Sequence, residues 1–244
     1  MGNAPNSNFL KTTLARLGIP AYWVRLNVRE FTAVAVRIWA NLPVQRHRLL
    51  RLIKVPAVRL NFGCGDTRYE GWIGVDQSFA PTVDLALDLR RRLPFPDASV
   101  DLCYSEHFFE HLFPDEGQFH LTEVHRILKP GGRYRIVVPD VVKFAQKYIE
   151  GDADFFRRAF PWAERPIHAL FAVANMRGDH RNIVDFEELE RMARIAGFEI
   201  AQRSFANGSD LAELRIDVAA PHRIEESLYV EIFKSTEVSQ CRVC

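Results

Sequence analysis

Residues 58–76, VRLNFGCGDTRYEGWIGVD, constrain this chain more than any other stretch. A short apolar run enters Gly63-Cys64-Gly65, and a second run, 72–75, ends on a single acid, Asp76. Glycines at a strand exit let the backbone approach a ligand where a Cβ would block both the approach and the turn. An acid at the tip of the neighbouring parallel strand can accept two hydrogen bonds from a ribose diol. The pattern is that of a nucleoside site at the carboxyl ends of a parallel sheet. It is not a dinucleotide fingerprint, which needs a third glycine at position 68 and an acid about twenty residues on. Arg68 occupies that position, Asp76 follows Gly65 too soon for a full crossover helix, and the P-loop pattern is absent.

The rest of the chain alternates as an α/β sheet requires. Residues 59–62, 72–75, 83–87, 100–104 and 134–138 read as strands, short and apolar like those of a parallel sheet covered by helices. Residues 114–128 read as the crossover helix, ended by Lys129-Pro130-Gly131-Gly132. Asp185 with Glu188 makes a capping-box-like start for a helix over 186–196, which Gly197 ends. Residues 198–204 and 227–233 read as the last two strands, a hairpin-like antiparallel edge. The fold class is therefore α/β, a Rossmann-like doubly wound sheet, mostly parallel with an antiparallel edge strand. Residues 139–184 are too long for an ordinary connection and rich in aromatics and histidines, among them Phe144, Phe160, Trp162, His168 and His180. They read as a helical lid over an acceptor pocket or as a helical pair covering the core.

This order of motifs, from the glycine turn through 83–112 to the Lys129-Pro130-Gly131-Gly132 run and its strand, closely resembles the class I S-adenosylmethionine-dependent methyltransferases of the small-molecule and glycan-modifying type. The resemblance covers roughly residues 58–235 and implies S-adenosylmethionine as cofactor. It places the methionine part of the cofactor against Gly63 and Gly65 and the ribose hydroxyls on Asp76. It places the adenine against Asp88 and the backbone of Leu89, and sets Ser105 and His107 at the reacting methyl. Asn61 stands where such enzymes usually carry an acid, so it can hydrogen-bond there without charge, and Thr67 stands at the usual third small residue.

A second constellation is His107-Phe108-Phe109-Glu110-His111. On a helix, positions i, i+3 and i+4 share a face, which would bring two imidazoles and a carboxylate together. The string matches the H-x-x-E-H pattern of inverted zinc peptidases, but it follows the fourth strand of a nucleoside-binding sheet. It also resembles the E-x-x-E-H by which small-RNA 2′-O-methyltransferases and ubiquinone-pathway O-methyltransferases hold a divalent metal. Here His107 replaces the first acid, and His168 or His180 would supply a further ligand. Metal-assisted polarisation of a hydroxyl, general-base action by His107 or His111, and a structural role all stay open. The catalytic assignment is His107 and His111, with no metal ligand assigned. The reading is methyl transfer to an oxygen, less readily a nitrogen, of a small molecule or glycan. The sulfonium is already reactive, so catalysis needs positioning and proton removal, and a sugar hydroxyl needs the base more than an amine does. A non-catalytic module that only binds the cofactor, and a zinc hydrolase, are the alternatives.

With 244 residues, 48% of them hydrophobic, the chain can bury the core of one α/β domain. Its net charge of +1 hides an asymmetry. Residues 1–59 hold ten basic side chains and one acid, Glu30, leaving 22 basic against 30 acidic in the remainder. The chain divides into a basic helical extension (1–57), the methyltransferase domain (58–235, with the lid at 139–184) and a tail (236–244). Within the extension, 22–42 makes an amphipathic helix, stopped by Pro43. Val24, Val28, Phe31, Ala35, Ile38, Trp39 and Leu42 share one face, and Arg25, Arg29 and Arg37 the other. The apolar face is expected to pack on its own domain or a second subunit, or to lie on an anionic membrane. Basic charge with little aromatic interleaving argues against nucleic acid. The charges that interrupt the helix argue against a simple transmembrane span. Residues 1–8 lack a secretory signal, and Asn6 fails the myristoylation pattern. Cys64 and Cys103 fit a reducing compartment, and Cys241 and Cys244 form a lone pair in the tail. The expected location is cytoplasmic, with peripheral membrane contact left open.

Overall fold

The computed structural model describes residues 21–218 and 220–236. The side chains of Val24 and Arg25, the segment 1–20 with Asn6, and the segment 237–244 with Cys241 and Cys244 lie outside that description. Seven strands form one sheet in the order β3-β2-β1-β4-β5-β7-β6. β1 (Arg59–Phe62), β2 (Ile73–Asp76), β3 (Leu85–Ala86), β4 (Val100–Glu106) and β5 (Leu128–Pro139) pair in parallel. β7 (Ser227–Phe233) is antiparallel both to β5 and to β6 (Ile200–Ser204). The fold is the expected Rossmann-like α/β sheet, with one refinement. The reversed strand, β7, lies inside the sheet, and β6 forms the edge.

The Lys129-Pro130-Gly131-Gly132 run belongs to β5 rather than to a separate turn. Leu128 already pairs with Val100, and regular pairing resumes at Leu102 with Arg133 across a register shift. A bulge absorbs the extra residues, and Gly131 takes the positive φ this needs.

Eight α-helices accompany the sheet among the described residues: α1 (Ala21–Ala40), α2 (Pro43–Leu52), α3 (Pro114–Ile127), α4 (Val141–Glu150), α5 (Ala153–Ala159), α6 (Pro166–Asn175), α7 (Phe186–Ile195) and α8 (Pro221–Glu226). α7 starts as the sequence indicated, with the Glu188 N–H donating to the Asp185 carboxylate at 2.8 Å. The main core joins one face of the sheet, including Phe62, Val75, Cys103 and Ile136, to Leu121 and Val124 of α3 and Leu189 and Met192 of α7. On the opposite face Trp72, Tyr104, Val137 and Tyr229 are closed off by Leu211, Leu214 and Ile216, an irregular segment. The helices of 139–184 carry their own cluster, Phe144, Phe155, Phe156, Phe160, Ala169, Ala172 and Val173.

Of the places expected for the apolar face of α1, packing on its own domain is the one the structure does not bear out. The apolar stripe faces outward, with Phe31 74%, Ile38 65% and Trp39 40% exposed, whereas Ala33 and Val36 are buried. Arg29, Glu30 and Arg37 turn toward the body. Arg37 Nε donates to Asp88 Oδ2 at 2.7 Å, and Arg90 Nη1 donates to Glu30 Oε1 at 2.8 Å. The cause is electrostatic. Asp88 and Arg90 are both buried, and a buried charge without partners costs more than a few apolar side chains left in water. No helix among the described residues is long and apolar enough to cross a membrane.

Candidate active site

The strand order reverses between β1 and β4, the place where open α/β sheets bind ligands beyond their strand ends. At the end of β1 the Gly63 N–H donates to the Val75 carbonyl at 2.8 Å, tying the glycine turn to β2. Gly63 has φ +65°, and a Cβ added there would lie 2.6 Å from the Phe108 Cβ. Only glycine fits. Gly65 also has positive φ, and its N–H donates to Asp76 Oδ2 at 3.0 Å. A carboxylate accepts at about four sites, so this single bond leaves Asp76 able to take ribose hydroxyls. Burial, then the charges of Asp76 and Asp84, push the Cys64 thiol within the turn up to about 12. It is a packing group there and not a nucleophile.

A cavity of about 440 Å³ opens over this turn, lined by Gly63, Asp76, Gln77, Leu89, His107 and His111 among others. Its volume lies in the range of small-molecule sites. Arg29 and Thr32 of α1 contribute to the lining, so the extension walls this cavity. The Gln77 side chain donates to the Arg29 carbonyl at 3.1 Å, and Arg29 donates to the His111 carbonyl at 3.3 Å. Nothing in the sequence could have announced Arg29, because its address depends on how α1 lies.

Two assigned residues stand elsewhere. The Asp88 carboxylate is engaged by Arg37 and by Arg90 Nε at 2.9 Å rather than presented to the cavity. Burial would raise its pKa, but Arg90 and Arg37 outweigh that and hold it below the ordinary range. Ser105 is fully buried, and its hydroxyl meets the Tyr134 hydroxyl at 2.8 Å. Strand alternation explains this, because successive residues point to opposite faces and residues two apart share one, so Ser105 shares the helix-covered face with Cys103. Asn61 lines a smaller cavity of about 170 Å³ with Gly63, Thr67 and Glu106, under the glycine turn.

A further cavity, about 370 Å³, lies on the other side of His107 and His111. Phe144, Phe160 and Trp162 from the 139–184 helices line it, with Glu110, His180, Arg223 and Glu226. His107 lines all three cavities, and the 440 and 370 Å³ cavities share His107 and His111. The segment is not the expected helix. His107 has φ +51°, and Phe109–His111 form a single 3₁₀ turn. A non-glycine residue held at positive φ marks a locally over-determined backbone, a feature that clusters at functional sites.

The hydrogen bonds around these histidines fix their tautomers. His111 Nδ1 lies 2.9 Å from the Asp179 carbonyl. A carbonyl can only accept, so neutral His111 carries its proton on Nδ1 and its lone pair on Nε2. His180 Nδ1 is placed likewise, 2.7 Å from the Val173 carbonyl. Both ring nitrogens of His107 are engaged, Nδ1 at 3.2 Å from Glu110 Oε1 and Nε2 at 3.1 Å from the Ser227 hydroxyl. Glu110 is buried, and neither oxygen receives a well-directed hydrogen bond, so it is held mainly by charge. Burial would raise its pKa, but the His107 contact and the neighbouring His111 and His180 outweigh this and lower it. Glu226 goes the other way, raised by burial against the attraction of Arg223. One ligand atom each from Glu110, His111 and His180 lies within 4.8 Å of the others, an arrangement able to hold a metal ion. His168 is exposed and stands apart from this cluster. Glu226 and Arg223 escaped the sequence reading, because an ordinary helix end gives no sign of facing a cavity.

Sheet order, glycine turn and strand-end acid define a class I methyltransferase fold. Residues 60–136 match the methyltransferase domain family. A probable S-adenosylmethionine-dependent methyltransferase of Mycolicibacterium smegmatis is 29% identical over 135 residues, 55% of this chain and 42% of that protein. The match thus spans less than half the length of that relative. A methyltransferase structure from Archaeoglobus fulgidus is similar at 16% identity and a TM-score of 0.45, over 94% of this chain and 100% of that one. The 1,6-didemethyltoxoflavin-N1-methyltransferase of Burkholderia thailandensis is similar at 16% identity and a TM-score of 0.44, over 96% and 93%. This chain carries a class I S-adenosylmethionine-dependent methyltransferase domain, and S-adenosylmethionine is the cofactor of that domain.

Proposed function

We propose that the protein methylates an oxygen of a small-molecule or glycan acceptor held in the 370 Å³ cavity, with the cofactor in the 440 Å³ cavity and His111 as proton acceptor. The carrying observation is the wall of His107 and His111 that the two cavities share. S-adenosylmethionine supplies the methyl as its S–CH₃ bond breaks and the O–CH₃ bond forms. Gly63, Gly65 and Asp76 hold the cofactor. The acceptor proton passes to His111 Nε2, the nitrogen its Asp179 contact leaves with a lone pair. His107, with both nitrogens engaged, positions Glu110 and the turn instead. The 139–184 helices act as a lid over the acceptor, and 58–235 is the catalytic unit.

The test is turnover with labelled cofactor against an acceptor identified from lysate fractions. His111→Ala should lower turnover by about 10²–10⁴ with little change in cofactor affinity. The Glu110, His111 and His180 cluster favours one second reading, in which those residues hold a divalent metal that polarises the acceptor oxygen. Under it, chelator abolishes turnover of the wild type, and His180→Ala shares the His111→Ala defect. Chelator-resistant activity removes it. Full activity in His111→Ala removes both.

A further inference from the structure

The outward stripe of α1 is the largest feature that this function leaves unused. Val28, Phe31, Ile38, Trp39 and Leu42 are exposed at helical spacing on one side, and the Trp39 ring meets the exposed Phe79 ring edge-on at 6.1 Å between centroids. An apolar band of this extent on a protein surface marks a site of association. The polar groups of the helix are spent inward on Asp88, Arg90 and the His111 carbonyl, so among the described residues the stripe has no partner on the body beyond Phe79. Charge identifies what covers it. α2 follows α1 after two residues and carries exposed Arg46, Arg48 and Arg51, with exposed Lys54 just beyond its end and exposed Val44 and Leu50 among them. From Phe31 to Gly65 the sequence holds no acid.

We infer that the outer face of α1 and α2 is a docking surface for an anionic lipid bilayer. A second copy of the chain fits less well. A two-fold interface places the same patch against itself, and here that would bring cations together with no carboxylate to answer them. A bilayer supplies both halves of the match, acyl chains for Phe31, Ile38 and Trp39 and anionic headgroups for the α2 cations.

The experiment is co-sedimentation of the full chain with phosphatidylcholine vesicles, with and without phosphatidylserine. Binding should require phosphatidylserine at low salt and fall as salt shortens the screening length from about 10 Å at 0.1 M to about 3 Å at 1 M. Phe31→Ser with Trp39→Ser should abolish it, and Arg48→Gln and Arg51→Gln should each weaken it about fivefold. Calorimetric affinity for S-adenosylmethionine, unchanged in these variants, confirms that they are folded. Absence of sedimentation with anionic vesicles at low salt overturns the inference. So does a concentration-dependent dimer that Phe31→Ser disperses, since a second copy would then cover the face.

Discussion

Asp76 ties the glycine turn to the end of β2 and borders the 440 Å³ cavity. One of its oxygens holds the Gly65 N–H and its remaining lone pairs border the cavity, so it stiffens the turn and, under the proposed function, offers the ribose an acceptor in the same place. Asp76→Ala should weaken S-adenosylmethionine binding by roughly 1.5–3 kcal/mol, the scale of a hydrogen bond to a charged group. Calorimetry on the folded variant measures this, and an unchanged affinity would remove Asp76 from the site. The sequence drew attention to this residue because a ribose diol would call for an acid at one strand tip, and the structure sets it on the cavity wall. Asp88 was not legible in the same way. Its carboxylate belongs to Arg37 and Arg90, and a partner 51 positions away in sequence leaves no local trace.

At the scale of elements, charge decides where apolar pattern would mislead. β5 reads as a plain apolar strand, yet Arg135 stands in its middle, fully buried. It donates to Asp217 at 2.9 and 2.6 Å and to Glu231 at 2.7 Å, pinning the 205–217 segment against β5 and β7. Arg135→Met should destabilise the fold by about 3–5 kcal/mol, because it leaves Asp217 buried without its cation and Glu231 with only the 3.7 Å contact to Arg133. Urea unfolding checks this, and adding Asp217→Asn to Arg135→Met should recover part of the loss. α1 follows the same rule. Helical periodicity found its two faces correctly but could not say which faces inward, since that is set by Asp88 and Arg90 on the body.

For the molecule as a whole, His120 links stability to pH. It is fully buried under Phe62, its Nδ1 donating to the Leu89 carbonyl at 3.1 Å. Burial pushes its pKa down to about 4, against a smaller upward pull from the Leu89 bond. An unfolded histidine titrates near 6.5. As pH falls below about 6.5 the unfolded chain takes up a proton that the folded chain refuses, so stability declines until about pH 4, where both states are protonated and the loss is complete. The loss is on the order of 3 kcal/mol. Thermal melts between pH 7 and pH 4 should show this slope, and His120→Gln should reduce it, leaving the part that His125 and His180, also lowered by burial, supply with the same sign. An equal slope in the variant would assign the effect to other groups. Asp88 and Glu110, both lowered, add a loss of the same sign at lower pH as they become protonated.

By itself the sequence determined the alternation of strands and helices, the glycine turn and its acid, and the pairing of His107, Glu110 and His111 near one strand end. Each is written in neighbouring residues, through apolar period, the steric freedom of glycine, or a short spacing. Tertiary structure alone decided which way α1 faces, that Ser105 points into the core, that His180 rather than His168 joins Glu110 and His111, and that His107 lies where three cavities meet. These depend on which distant groups a side chain meets once the sheet has closed. Burial and buried charge, which act through space, settle them without regard to order along the chain.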